Sequence, residues 1–136
     1  DGANMTPLMI AAAATADLVV IDMLLEAGAY VEEKTSEGYT PLILAARFNK
    51  NSRVLERLIS RGASLEACDK TDGMTPLMHA ACCNPNPDSI RCLLKAGANG
   101  RSLSCNGSTA YDIAKNNKAI AQQSDVMKEL MKAASK

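Results

Sequence analysis

The sequence of 136 residues has no tryptophan, a single phenylalanine and three tyrosines, although 47% of it is hydrophobic. Its apolar content is mostly alanine, leucine, isoleucine and methionine, which favours closely packed helices over a sandwich of sheets. An excess of either charge is missing too: 15 basic residues balance 15 acidic ones. A nucleic-acid surface usually carries a basic surplus, so that class of partner is disfavoured. No apolar run is long enough to span a bilayer and no signal peptide is recognisable, so membrane insertion is not expected. The five cysteines are odd in number, with one vicinal pair and no C-x-x-C. That pattern is not a disulfide framework, and it suits a reducing intracellular setting, cytoplasmic or nuclear. The chain begins Asp1-Gly2 rather than with Met, and so reads as an excerpt. Asn4-Met5-Thr6 and Asn106-Gly107-Ser108 match a glycosylation triplet, a match short enough to arise by chance.

What the sequence does have is repetition. Thr-Pro-Leu occurs at Thr6, Thr40 and Thr75, with a degenerate Thr-Ala-Tyr at Thr109, in steps of 34, 35 and 34 residues. Gly-Ala occurs at Gly28, Gly62 and Gly97, always 22 residues after the threonine. Two words locked in phase over three copies define a repeat, and periods of this size mark stacked units. Each word has a mechanical meaning. Threonine caps a helix, and proline fits the first turn, where its missing N–H costs nothing. Short helices with small Ala-Ala pairs follow, over 8–13, 42–47 and 77–82. Polar turns come next, "NKNS" at 49–52 and "NPNPDS" at 84–89. A second helix carries Val20, Ile21, Leu24 and Leu25, then Val54, Leu55, Leu58 and Ile59, then Ile90, Leu93 and Leu94. It closes at a glycine in the left-handed conformation, and Gly38, Gly73 and Gly107 stand where a hairpin turn belongs.

These units, "GYTPLILAA…VLERLISRGASLEA" and "GMTPLMHAA…IRCLLKAGAN", resemble ankyrin repeats over nearly the whole chain. The resemblance implies an all-α repeat solenoid of about four stacked helix-turn-helix units with β-hairpin loops. It implies a single domain over 1–136, with repeats at approximately 1–35, 36–69, 70–104 and 105–136, the last a C-terminal cap. The sequence departs from the family pattern in places. Met9, Ile43, Met78 and Asp112 replace the histidine that usually follows Thr-Pro-Leu. The turn between helices lacks its usual glycine, and "KNNKAIAQQSD" lengthens the last connection. The ending "VMKELMKAASK" interleaves lysines with apolar residues, as a cap with one wet face should. The front of repeat 1 has no such cap: Val19 stands where Arg53 and Asp88 stand later, as if a further repeat had covered it.

The sole histidine, His79, precedes Cys82 and Cys83 at helical spacing, which raises the possibility of a metal or nucleophile site. In the repeat register these positions are filled by Leu44, Arg47 and Phe48 in copy two, so structural position accounts for them. No orienting acid recurs nearby, and no motif for phosphate, cofactor or acyl chemistry occurs. The expectation is no metal, no cofactor and no enzyme within these residues. The row Arg53, Arg57, Arg61 reads as a solvated helix face, and the methionines Met9, Met23 and Met78 read as core.

The resemblance also implies a role, protein binding on the concave face made by hairpins and first helices. Its contact columns fall on Met5, Tyr39, Met74 and Ser108 before the capping threonine, and on Ala13-Ala14, Arg47-Phe48 and Cys82-Cys83 after the Ala-Ala pair. Hairpin tips add Lys34, Ser36, Glu37, Thr71 and Asp72. The candidate contact residues are thus Tyr39, Arg47, Phe48, Met74, Asp72, Lys34, Glu37 and Cys83. The function expected is a monomeric, non-catalytic scaffold, adaptor or inhibitor. The alternative is a regulatory or targeting segment of a larger enzyme or channel whose chemistry lies elsewhere.

Overall fold

The computed structural model describes residues 5–135. Its helices are α1 (Pro7–Ala14), α2 (Leu18–Glu26), α3 (Pro41–Phe48), α4 (Ser52–Ser60), α5 (Pro76–Cys83), α6 (Pro87–Lys95), α7 (Ala110–Ala114), α8 (Lys118–Ala121) and α9 (Ser124–Ser135). The first helices stack in the order α1, α3, α5, α7, and the second helices α2, α4, α6 and α9 form a parallel layer behind them. Each first helix starts as the sequence dictates. The hydroxyls of Thr6, Thr40, Thr75 and Thr109 accept from the backbone N–H three residues on, at 3.2–3.4 Å. Such a cap contributes about 1 kcal/mol. The alanine pairs then let the stack close: Ala45, Ala46, Ala80 and Ala81 are wholly buried, with Leu42, Leu55, Leu77 and Ile90 between the layers.

The loops after the second helices double back as hairpin-shaped turns, each closed by a backbone bond: Thr35 to Tyr39, Asp69 to Met74 and Ser104 to Ser108. None of the described residues is in a strand. Successive hairpins are tied together, the Lys70 N–H donating to Glu37 O (2.8 Å) and the Cys105 N–H to Asp72 O (2.9 Å). That contact requires glycine at Gly38. Its φ is +88°, and an added Cβ would lie 3.1 Å from the Lys70 nitrogen.

The inter-helix turns are built from asparagine. Asn84 donates from Nδ2 to the carbonyls of Ala46 (2.9 Å) and Asn49 (2.8 Å) in the repeat before it. Asn49 does the same to Ala12 and Thr15, and Asn117 to Ala81 and Asn84. Asn51 and Asn86 cap α4 and α6 and also reach back, to Ala16 and Lys50. These amides satisfy C-terminal carbonyls of the preceding first helix, which a helix end otherwise leaves open.

Repeat 4 is more elaborate than a lengthened connection. The stretch 115–125 contains α8, after which α9 packs on α7 and α6. Val126 and Leu130 are buried while Lys128 and Lys132 face water, as a cap requires. At the front, Ile10 is 56%, Val19 58% and Met23 64% exposed. The equivalents of Ile10, Leu44 and His79, are at most 4% exposed because a preceding repeat covers them. Met23 is therefore not core, contrary to expectation, whereas Met9 and Met78 are.

Candidate functional site

The column after each alanine pair ends the first helix, where side chains leave the stack. In repeat 2 it places Arg47 at the last turn of α3, its guanidinium 5.4 Å from the centre of the Phe48 ring. Phe48 is 54% exposed. This cation–π pair holds an aromatic plate open to solvent.

Arg47 also reaches the next repeat, its Nη1 lying 3.3 Å from His79 Nδ1. On the other ring edge, His79 Nε2 is 2.7 Å from Asp69 Oδ2. Both side chains are wholly buried. The partners fix the proton: a guanidinium can only donate, so Nδ1 accepts, and Nε2–H donates to the carboxylate. His79 is thus neutral. Burial lowers its pKa, against the opposing pull of Asp69. The Asp69 carboxylate stays low despite burial because the Asp72 N–H (2.6 Å) and His79 bind its charged form. Tyr39 meets the His79 ring edge-on, centroids 5.6 Å apart at 86°.

This network corrects the expectation that no acid stands near the histidine. Asp69, ten residues earlier on the hairpin, orients it. The pair is sealed from solvent and tied to hairpin and helix, which makes it a brace. Cys82 and Cys83 turn outward, their sulfurs 2.9 Å apart. Desolvation and the Cys82 thiol push the Cys83 pKa up to about 11, which keeps it a thiol and a poor nucleophile. Among the described residues no three His, Cys, Asp or Glu side chains form a metal-binding group.

The remaining candidates separate by exposure. Lys34, Glu37 and Asp72 are exposed on the hairpins and make no ion pair among the described residues. Tyr39 is half-buried, and Met74 is 8% exposed, surfacing only in the wall of a groove. Met74 is therefore core rather than an exposed anchor. The arginine row also differs from the expected solvated face: Arg57 pairs with Asp22 and Arg61 with Glu26, each bridging to the repeat before.

Two concavities open along the first-helix column. One, of about 560 Å³, is floored by Ala13, Ala14 and Ala16 and walled by Phe48 and Lys50. The other, of about 340 Å³, lies between repeats 3 and 4 and is lined by Asp72, Cys82, Ser108 and Asp112. Neither concavity is legible in the sequence, and the asparagine bridges went unread although the phased N-x-N at Asn49-Asn51 and Asn84-Asn86 is a usable signal for them.

The family model for ankyrin repeats (three copies) matches residues 1–69 and 43–136. The chain belongs to the ankyrin repeat family. Ankyrin repeats are generally protein-interaction modules and typically non-catalytic. Similar proteins include one of Danio rerio carrying the name palmitoyltransferase ZDHHC13, 38% identical over 91 residues, which are 67% of this chain and 14% of that protein. Ankyrin repeat protein nuc-2 of Neurospora crassa is 36% identical over 81 residues, 60% of this chain and 7% of its own length. An ankyrin repeat and LEM domain-containing protein 1 homolog of Caenorhabditis elegans is 47% identical over 60 residues, 44% of this chain and 8% of its own. The chain thus spans less than a sixth of each of these relatives. No helix among the described residues is long and apolar enough to cross a membrane.

Proposed function

We propose that residues 1–136 form one ankyrin domain, with repeats near 1–35, 36–69, 70–104 and 105–136, acting as a monomeric, non-catalytic scaffold, adaptor or inhibitor. The observation that carries this reading is the exposed Phe48 plate stacked on Arg47 beside the hairpin charges Lys34, Glu37 and Asp72, which make no ion pair among the described residues. Aromatic residues and arginine dominate binding hot spots, and an unpaired surface charge is free for a partner. Phe48 is the central anchor. Lys34, Glu37 and Asp72 supply rim charge, Cys83 extends the column, and Arg47 and Tyr39 hold the anchor in place. Five free thiols, four of them exposed, support an intracellular location.

A second reading makes the domain the regulatory or targeting segment of a larger enzyme, favoured by the match within a protein named as a palmitoyltransferase. Catalytic sequence elsewhere on the full-length polypeptide distinguishes it. Against a partner isolated with the chain, Phe48→Ala should weaken binding about thirtyfold, on the order of 2 kcal/mol. The variant should melt within a few degrees of the parent, since the ring is largely exposed. Normal affinity in a folded Phe48→Ala variant overturns the assignment.

A further inference from the structure

Resting on the concave-face reading, we infer that the face is charge-polarised and takes an extended peptide segment with an apolar residue beside an acidic one at its repeat 1–2 end and a basic residue at its repeat 3–4 end. Two observations set the first half. The notch is floored by the methyl groups of Ala13, Ala14 and Ala16 with Phe48 as a wall, and Asn49 and Asn51 complete its lining. It therefore suits an aliphatic or aromatic side chain. The cation that lines it is Lys50, which makes no ion pair among the described residues. A carboxylate beside the inserted apolar side chain would meet the Lys50 ammonium.

The second half is set by the groove between repeats 3 and 4. Asp72 lines it from the hairpin and Asp112 from α7, with Ser104, Asn106, Ser108 and Asn116 between them. Asp112 is already engaged, accepting from the Thr109 N–H at 3.1 Å and facing Lys115 at 3.5 Å. Asp72 makes no ion pair among the described residues, so it is the free anion. An ammonium or guanidinium entering this groove finds one unpaired carboxylate and a lining of hydroxyl and amide acceptors.

The two sites belong to one surface, because Ala13-Ala14 and Cys82 occupy the same repeat column. They are two stacking steps apart. Stacked helices lie 8–10 Å apart, which puts the sites about 20 Å from each other. An extended chain advances about 3.3 Å per residue, so roughly six residues bridge them. The peptide's charge order is thereby fixed by this face, whichever way its chain runs.

Selection of a displayed library of random linear 16-residue peptides on the immobilised 136-residue chain tests this. Enriched sequences should pair a Leu, Ile, Phe or Met with a neighbouring Asp or Glu, and carry Lys or Arg about five to seven positions away. A synthetic peptide of the enriched sequence should bind Lys50→Glu and Asp72→Lys at least tenfold more weakly. Exchanging its own acidic residue for Lys should restore binding to Lys50→Glu. Enriched peptides without this charge order, yet lost with Phe48→Ala, would overturn the polarity and leave the concave-face reading standing. Peptides indifferent to Phe48→Ala, Lys50→Glu and Asp72→Lys, or no enrichment at all, would overturn both.

Discussion

Replacing Asn84 by alanine removes more than a turn former. The side chain is wholly buried and makes three bonds: Nδ2 to the carbonyls of Ala46 and Asn49, and Oδ1 from the Asn86 N–H at 2.9 Å. The alanine variant leaves two carbonyls and one N–H without these partners at the joint between repeats 2 and 3. At about 1 kcal/mol per net hydrogen bond the loss is about 3 kcal/mol, and more where a group stays buried and unsatisfied. For a chain of this size that lowers Tm by about 10 °C. Asn84→Asp is the sharper probe. It keeps the shape but sets a carboxylate against two carbonyl oxygens, so it should be less stable than the alanine variant at pH 7. Asn117→Ala, at a half-buried position next to the cap, should cost less. Urea unfolding followed by circular dichroism at 222 nm measures all three. A loss under about 1 kcal/mol for Asn84→Ala would refute the reasoning, since the carbonyls would then be satisfied without the amide.

Other consequences follow from the same geometry. The lowered pKa of His79 means that, as pH falls through its ordinary value of 6.5, the unfolded chain takes up a proton that the folded chain refuses. Stability should therefore fall from pH 7.5 to 5.5, and fall again below pH 3.8 where Asp69 resists protonation. The double variant Asp69→Thr with His79→Leu copies the buried Thr35 and Leu44, which hold the same places one repeat earlier, and should flatten the first of these slopes in urea titrations. Gly100 has no room for a side chain: an added Cβ would lie 2.5 Å from that of Ala133 and 3.0 Å from its backbone. Gly100→Ala should therefore loosen α9, read as faster amide exchange over 124–135, while leaving exchange in α3 unchanged. A double-mutant cycle of Arg57→Ala with Asp22→Ala should give only a small coupling that shrinks further in 0.5 M salt, because solvent and ions screen the pair.

What was legible in the sequence was whatever recurs. Threonine, proline, the alanine pair and glycine each perform one local task at each repeat, so their phase placed helix starts, stacked contacts and turns. Less legible were contacts joining unlike positions in neighbouring repeats. Asp69 and His79 meet because a hairpin folds back on the helix that follows it, and neither residue has an ionic counterpart one repeat earlier, where Thr35 and Leu44 stand. Periodicity says what a column holds, and it is silent on exceptions within a column. The same limit hid the Arg57–Asp22 pair, which needs the lateral offset of α4 against α2. The break between α8 and α9 was missed for the opposite reason: repeat 4 leaves the pattern, so nothing phased its helices.

The placement of charge then separates stability from recognition. On the second helices, Arg57, Arg61 and Arg91 reach acids of adjacent repeats or turns, and these pairs add lateral ties to a stack already held by apolar burial. On the hairpin side the loops are held by backbone bonds between hairpins and by the Asp69–His79 brace, none of which uses an exposed side chain. The side chains of Lys34, Glu37 and Asp72 are consequently unneeded for stacking. A side chain that the fold does not use can change with the partner at little cost in stability, since exposed substitutions rarely shift it by more than about 0.5 kcal/mol. The brace is what permits this freedom: by fixing Arg47 from behind through His79, it orients the Phe48 plate without drawing on the exposed charges around it.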